Sequence, residues 1–338
     1  MTTAGELRIL IVTNMYPAPG RPYFGVFVER QVEAARRRGI DVRVEVVAGD
    51  RGKADYLLAR QRVARAMRTF RPQLIHCHYG YTPLAAAFLG RPYIVTLCGD
   101  DLNGQSDGRG GITLKSRAGI LVSQVFAASS RLVIVKSEQM RRKLWSRSRQ
   151  KAELLPNGVD TDLFSPGSMA AARQRLGVPA DALVLGFVNS VRQRTKRLDL
   201  AEQVRAELGR RGVDAMLLVA ESVPAAEMPW HYRAADCLLL TSDSEGGPNA
   251  VKEALACGTP VVGVPVGDLP ELITSSAMGR VTSRDPRALA DAVQSLGRAK
   301  DLRARLLPAE LDADAIAARL VDLYQRAIRG DRPRGPRT

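Results

Sequence analysis

Short Val-, Ile- and Leu-rich runs alternate along most of this chain with longer stretches whose apolar residues recur every three or four positions. The short runs predict strands at Leu7–Thr13, Val42–Val47, Gln73–Cys77, Tyr93–Leu97, Leu132–Val135 and Glu153–Leu155. The longer stretches predict helices at Val26–Arg38, Ala54–Phe70, Leu84–Leu89, Leu114–Ala128 and Glu138–Trp145. Near-continuous apolar strands separated by helices are the pattern of βαβ units, with a parallel sheet covered on both faces. Pro156-Asn157-Gly158 breaks the alternation, and polar residues continue to Pro166-Gly167; this stretch reads as an interdomain linker. The alternation then restarts. Strands are predicted at Leu183–Val188, Ala215–Val219, Cys237–Leu240, Pro260–Val264 and Gly279–Val281. Helices are predicted at Leu198–Arg211, Ala226–Ala235, Ala250–Ala256, Pro286–Arg298 and Ala313–Ile328. The expected architecture is α/β: two Rossmann-like doubly wound parallel-sheet domains, residues 1–157 and 158–312, facing a central cleft. A last helix follows over 313–328, then a disordered basic tail over 329–338. Ligands of such sheets bind beyond the carboxyl ends of the strands.

Length and composition agree. A chain of 338 residues, 45% hydrophobic and 25% charged, can bury one large or two ordinary cores, and with 5% aromatics those cores are aliphatic. No apolar run reaches the roughly 18 residues a transmembrane helix needs. The polar start Met1–Glu6 lacks the basic and apolar pattern of a signal peptide. The four cysteines form no C-x-x-C pair, and with three histidines a zinc site or disulfide framework is not expected. A reducing, cytoplasmic setting fits.

Charge changes the picture more. The net charge is +15, and residues 1–160 hold 26 Lys/Arg against 13 Asp/Glu, whereas residues 161–338 hold 24 against 22. Two stretches concentrate the excess: Arg60, Arg62, Arg65, Arg68 and Arg71, and Arg141, Arg142, Lys143, Arg147, Arg149 and Lys151 around Leu144 and Trp145. An Arg-rich solvated surface, a membrane-facing amphipathic surface and a nucleic-acid surface all present such stretches. No nucleic-acid recognition motif accompanies them. A peripheral site at the inner face of an anionic membrane is therefore the partner considered, and nucleic acid is not expected.

The standard cofactor loops are missing. The first strand leads into Asn14-Met15-Tyr16-Pro17 rather than G-x-G-x-x-G, and neither a Walker A loop nor a G-x-S-x-G elbow occurs. The richest segment is Ser242 to Ala254, between the strand Cys237–Leu240 and a helix. Gly246 and Gly247 allow close backbone approach. Pro248 suits the first helical turn, whose N–H groups and dipole make an anion site. Glu253 lies roughly 7–8 Å along that helix, where a carboxylate can accept a ribose diol. Glu245 precedes the glycines, nearer any transferred group. The alternative is a well-capped helix with two solvated acids. Arg192, Arg194, Lys196 and Arg197 follow the strand Leu183–Val188 and would neutralise a diphosphate, or form a solvated basic loop. Gly25, within Tyr23–Phe27, opens the first helix, as a turn glycine or to admit a ligand. His76 and His78 lack a third metal ligand and read as core or cleft lining; Asp160-Thr161-Asp162 carries little metal signal. Cys98-Gly99-Asp100-Asp101 ends a strand. Its thiol has no basic partner nearby in sequence, and its acids would hold an acceptor hydroxyl or cap a turn.

These segments together carry a resemblance. Glu245–Glu253 followed by Ala254–Val262 resembles the E-x7-E region of family-4 glycosyltransferases. Leu155–Asp160 resembles that family's interdomain strand, Val266–Glu271 its next loop, and Asn14–Pro17 with Phe24–Val28 its N-terminal glycine loop. The resemblance spans about residues 7–328. It implies the GT-B fold, a nucleotide-diphosphate-sugar donor, no obligatory metal and retention at the anomeric carbon. It also implies that Glu253 binds ribose, Glu245 the donor sugar, and Gly247 to Ala250 the sugar and phosphate. Lys196 would bind the diphosphate, and Gly25 would let the first domain close. Two departures stand out: Asn189-Ser190 replace the family's Gly-Arg, leaving Arg192 or Arg194 to supply that cation, and Cys98 stands where a histidine often contacts the sugar.

The expected function is transfer of a sugar from a UDP- or GDP-sugar to a glycan, lipid-linked or other hydroxyl acceptor. The catalytic candidates are Glu245, Cys98 and Asp100. The donor-site candidates are Gly25, Arg192, Arg194, Lys196, Gly246, Gly247, Pro248, Asn249, Ala250 and Glu253. A sugar-nucleotide epimerase of the same fold, or a non-catalytic basic binding protein, is the alternative.

Overall fold

The computed structural model describes residues 7–21, 24–48, 54–104, 111–189, 194–298 and 303–331. These form two compact units, residues 1–158 with 313–338 and residues 159–312.

The first unit alternates strand and helix: β1 (Arg8–Thr13), α1 (Val26–Arg37), β2 (Asp41–Val46), α2 (Ala54–Phe70), β3 (Leu74–His78), α3 (Pro83–Ala86), β4 (Tyr93–Thr96), α4 (Asp100–Asn103), α5 (Leu114–Ser129), β5 (Val133–Val135), α6 (Glu138–Lys143), α7 (Ser146–Arg149) and β6 (Ala152–Leu154). The sheet order is β2-β1-β3-β4-β5-β6, and every pairing is parallel. The step from β1 to β2 runs one way across the sheet and all later steps run the other. Right-handed crossovers therefore put α1 on one face and α2 to α7 on the opposite face. Period-two alternation sorts the strand side chains accordingly. Leu10, Val12, Ile75, Cys77, Val95, Val133 and Val135 form one buried cluster with Val63 and Ala66 of α2, Ala85 of α3, Ala127 of α5 and Met140 of α6.

The second unit holds α8 (Met169–Leu176), β7 (Leu183–Val188), α9 (Leu198–Arg210), β8 (Ala215–Ala220), α10 (Met228–Ala234), β9 (Cys237–Leu240), α11 (Asn249–Ala256), β10 (Val261–Gly263), α12 (Leu269–Leu272), β11 (Gly279–Val281) and α13 (Pro286–Leu296). Its sheet runs β11-β10-β9-β7-β8, again all parallel. The last helix, α14 (Ala313–Arg329), returns to the first unit, where it packs on α1 and places Tyr324 against β3. Among the described residues no helix is long and apolar enough to cross a membrane.

Three sequence expectations change. The boundary between the two units, after residue 158, falls within the predicted linker Pro156–Gly167, but the stretch is packed rather than polar and exposed. Leu155, Val159 and Phe164 are buried, Val159 donates to the Leu311 carbonyl at 2.9 Å, and Thr161 Oγ1 donates to Asp312 at 2.6 Å. Met169–Leu176, not predicted, is a helix capped by the Ser168 hydroxyl at its start and by left-handed Gly177 at its end. The helix predicted over Glu138–Trp145 ends at Lys143, and a separate short helix, α7, starts at Ser146, because Leu144 leaves helical backbone and enters the core while Trp145 stays exposed. The basic stretch loses one member too. Lys151 turns inward, its Nζ donating to the carbonyls of Ala128 at 2.8 Å and Ser130, and burial lowers its pKa to about 8. Of the predicted tail, residues 332–338 lie outside the described residues.

Candidate functional site

β7 and β9 are central neighbours in the second sheet and end level with each other. The segment after β7, residues 190–193, lies outside the described residues, and Arg192 with it. The chain is described again at a 3-10 turn, Arg194–Lys196, on which Arg194 is exposed. The loop leaving β9 is stitched to that turn. Thr241 Oγ1 lies 2.9 Å from the Lys196 carbonyl and 3.0 Å from that of Arg197, and the Asp243 N–H donates to the Thr195 carbonyl at 2.8 Å. Arg197, in left-handed backbone (φ 57), grips Asp199 and Asp243, and these two carboxylates raise its pKa. Arg284 donates to the Ser242 carbonyl at 2.6 Å. The outcome is local and polar: Glu245 Oε1 accepts from Lys196 Nζ at 2.7 Å and from Ser242 Oγ at 2.7 Å.

The same loop opens α11. Helical backbone begins at Asn249, one residue before the predicted start, so Pro248 is the cap residue just ahead of the first turn, and it has no side-chain oxygen to cap that turn. Gly246 and Gly247 precede it without positive φ, so neither is required for left-handed backbone. Glu253 lies one turn into α11, and the Tyr232 hydroxyl donates to its Oε2 at 2.8 Å, fixing the carboxylate. Lys252 is wholly buried and paired with Asp268 Oδ2 at 2.7 Å. Beside it Gly267 takes left-handed backbone (φ +61). A Cβ there would meet Pro248 Cδ at 2.9 Å and Glu245 Cβ at 3.2 Å, so the loop before α12 seals the Glu245 loop. Lys196, Val188, Thr241, Ser242, Asn249 and Ala250 line a hollow at these strand ends. An ammonium, a hydroxyl and a helix N-terminus around one hollow suit a phosphate-bearing ligand; a fixed carboxylate one turn along suits ligand hydroxyls.

The first-unit candidates are Cys98, Asp100 and Gly25. Cys98 is partly exposed, but burial and then the Asp101 carboxylate raise its thiol pKa well above the ordinary range, which disfavours thiolate chemistry. Burial likewise raises Cys77, Cys237 and Cys257 to about 12. Iodoacetamide at neutral pH is therefore expected to add nothing to the native protein within the time that the unfolded chain takes up four groups; intact mass reads the difference.

Asp100 is exposed at the start of α4, whereas Asp101 is buried and accepts the N–H groups of Gly99 at 2.8 Å, Cys98 at 3.0 Å and Gly80 at 3.0 Å. Asp101 thus ties the loops after β3 and β4 together, which is the turn-capping reading of the acidic pair. Burial outweighs these donors and lifts its pKa from 3.8 to about 6. Its folded form therefore binds a proton that the unfolded form has lost, so Asp101 contributes stability below about pH 4 that disappears as pH rises through about 6. Urea titrations at pH 4.5, 5.5 and 7 are expected to show this falling component, and Asp101→Asn to remove it from the difference curve.

Gly25 has φ +76, and a Cβ there would sit 2.3 Å from the Met15 carbonyl carbon, so the close approach at this glycine is made by the chain itself. His76 bonds Tyr324 at 2.8 Å and Thr96 at 2.7 Å, and burial lowers its pKa to about 3; His78 is buried beside it. Both are core residues. Asp160 Oδ1 accepts N–H groups of its own turn at Asp162 and Leu163. Among the described residues no group of three metal-ligating side chains occurs.

The sequence did not assign roles to Ser242 or Tyr232. Ser242 stands three residues before Glu245 in the same loop, so their bond is local, hydroxyl to carboxylate. Tyr232 reaches Glu253 from another helix, and no local pattern announces that.

Residues 11–163 match the family described as Glycosyltransferase Family 4, and residues 179–298 match that described as Glycosyl transferases group 1. The chain belongs to the family-4 glycosyltransferases. It is similar to D-inositol 3-phosphate glycosyltransferase of Saccharomonospora viridis, 31% identical over 221 residues, which are 54% of this chain and 51% of that protein. The chain spans about half the length of the relatives of this kind that it matches. Its fold is that of sucrose-phosphate synthase from Thermosynechococcus elongatus, with a TM-score of 0.74, 18% identity, and 96% and 100% of the two chains covered. Anabaena HepE in complex with UDP-glucose gives a TM-score of 0.65 at 18% identity, covering 96% and 99%. Both establish the GT-B architecture.

Proposed function

We propose that this chain transfers a sugar from a nucleotide-diphosphate donor, UDP- or GDP-linked, to a hydroxyl acceptor with retention and without an obligatory metal. The observation that carries this reading is the Lys196–Glu245–Ser242 cluster at the start of α11, with Glu253 fixed one turn beyond. Glu253 would accept the ribose hydroxyls. Lys196, Arg194 and the α11 N-terminus would hold the diphosphate, and Glu245 the transferred sugar. As the acceptor oxygen bonds to the anomeric carbon, the carbon–phosphate-oxygen bond breaks. The leaving phosphate takes the acceptor proton, and Lys196 stabilises the charge that develops on it. The UDP-glucose bound by HepE supports the donor class. A lipid-linked or otherwise anionic acceptor at a membrane surface, met by the basic first unit, completes the reading.

Calorimetric titration with UDP, GDP, TDP and CDP tests it. One diphosphate is expected to bind at micromolar Kd. Glu253→Ala is expected to weaken it by roughly 10- to 150-fold, the ~1.5–3 kcal/mol of a charged hydrogen bond. Binding of none of the four would overturn the reading. Conversion of the donor sugar with no acceptor present would mark an epimerase instead.

A further inference from the structure

In the first unit, α2 to α7 share one face of the sheet, and the charge is sorted between the two faces. α2 to α7 carry eleven Lys/Arg against four acids, two of them Asp100 and Asp101 on α4, while α1 and α14 opposite carry six against four. The exposed apolar side chains are sorted the same way. Of ten large apolar residues exposed among the described residues, six lie on this face or its rim: Leu58, Phe88, Leu114, Leu121, Val125 and Trp145.

α5 shows the arrangement most clearly. Leu114, Ala118, Leu121 and Val125 follow helical spacing along its outer side and are all exposed, Leu114 at 83%, while Gly119, Ser123, Gln124 and Ala127 face inward. The Gln124 side chain accepts the Trp145 N–H at 3.1 Å and donates to the Lys143 carbonyl at 2.8 Å, which holds Trp145 beside this stripe. Lys115, Arg117, Arg142, Arg147 and Arg149, all exposed, flank it. At the rim Phe88 is 78% exposed in left-handed backbone (φ 63), a strained conformation for an aromatic residue.

We propose that this face, centred on the α5 stripe and Trp145, docks on an anionic lipid bilayer. The proposal rests on the reading above in that a membrane-borne acceptor is what such docking would serve. A cationic rim around an aliphatic stripe complements phosphate headgroups above an acyl boundary. Nucleic acid fits less well, because successive bases need successive aromatic surfaces, and this face sets Trp145 among Leu, Ala and Val, with Phe88 apart at the rim.

The test uses the full chain with vesicles of phosphatidylcholine, alone or with about one-third phosphatidylglycerol. Cosedimentation is expected only with the anionic vesicles, and raising NaCl from about 0.05 to 0.5 M should weaken it. In a Trp230→Phe background, Trp145 emission is expected to shift to the blue on binding. Leu121→Asp with Val125→Asp should reduce vesicle affinity by roughly tenfold or more while leaving thermal melting and nucleoside-diphosphate affinity unchanged. Unchanged vesicle binding in that variant, or tighter binding to RNA than to anionic vesicles, would overturn the proposal. Loss of nucleotide binding with docking intact would instead sink the donor-site reading alone. A Leu121→Ser, Val125→Ser variant gives the same reading if the aspartates impair folding.

Discussion

Lys196→Ala is expected to lower kcat by roughly 10²–10³-fold, the range seen when one preorganised donor to a developing oxyanion is removed. Two consequences follow from the contact at 2.7 Å between Lys196 and Glu245. On the function proposed above, the leaving diphosphate would lose the cation that meets its growing charge, and Glu245 loses the partner that sets its position. Ser242 still donates to Glu245 in the variant, so the acid is not left wholly unsupported. Steady-state kinetics separate the roles. If Lys196 held substrate and transition state equally, KM would rise with kcat unchanged. A fall in kcat and kcat/KM together marks stabilisation made chiefly in the transition state. Lys196→Arg keeps the charge but changes its geometry and is expected to recover part of the loss. An unchanged kcat/KM in Lys196→Ala would remove this lysine from the donor site.

The parallel sheets were legible because their central strands are buried on both faces and read as continuous apolar runs; β7, LVLGFV, is an example, whereas the edge strand β2, DVRVEV, alternates and is only partly buried. Met169–Leu176 was not, although Ser168 and Gly177 bracket it with both cap signals. Its sequence is Ala- and Arg-rich, and what holds it is Arg173, whose partner lies 63 positions away. Leu144 and Trp145 show the same limit on a smaller scale: both are apolar, and only the break between α6 and α7 decides which is buried. At the site, the Gly-Gly-Pro turn and the spacing of Glu245 and Glu253 stand in one continuous segment and are readable. The stitch from Thr241 to the Lys196 carbonyl and the Tyr232 bond to Glu253 are tertiary, and local sequence carries no trace of them.

Asp236→Ala is expected to destabilise the second unit by about 3–5 kcal/mol, the cost of stranding one member of a buried ion pair. Arg173 and Asp236 are only 5% and 3% exposed and meet at 2.8 Å. The guanidinium also donates to the carbonyls of Ala234 at 3.0 Å and Ala180 at 2.6 Å, and Asp236 Oδ2 accepts the Val184 N–H at 2.7 Å. The pair thus joins α8, the end of α10 and the start of β7. Truncation leaves a buried cation facing its carbonyls alone and an N–H of β7 without this acceptor. Removing both charges is a different perturbation. Arg173→Met with Asp236→Leu takes away the desolvation cost together with the attraction, and is expected to be milder than the sum of the single changes. Trp230, stacked under Arg175 and Arg233 in the same unit, reports the transition in urea, with Trp145→Phe removing the other tryptophan. The two units need not unfold together, so the midpoint read from Trp230 is the quantity compared. A loss below about 1 kcal/mol would mean that water reaches the guanidinium once Asp236 is gone, and that burial of this pair contributes little to holding α8 in place.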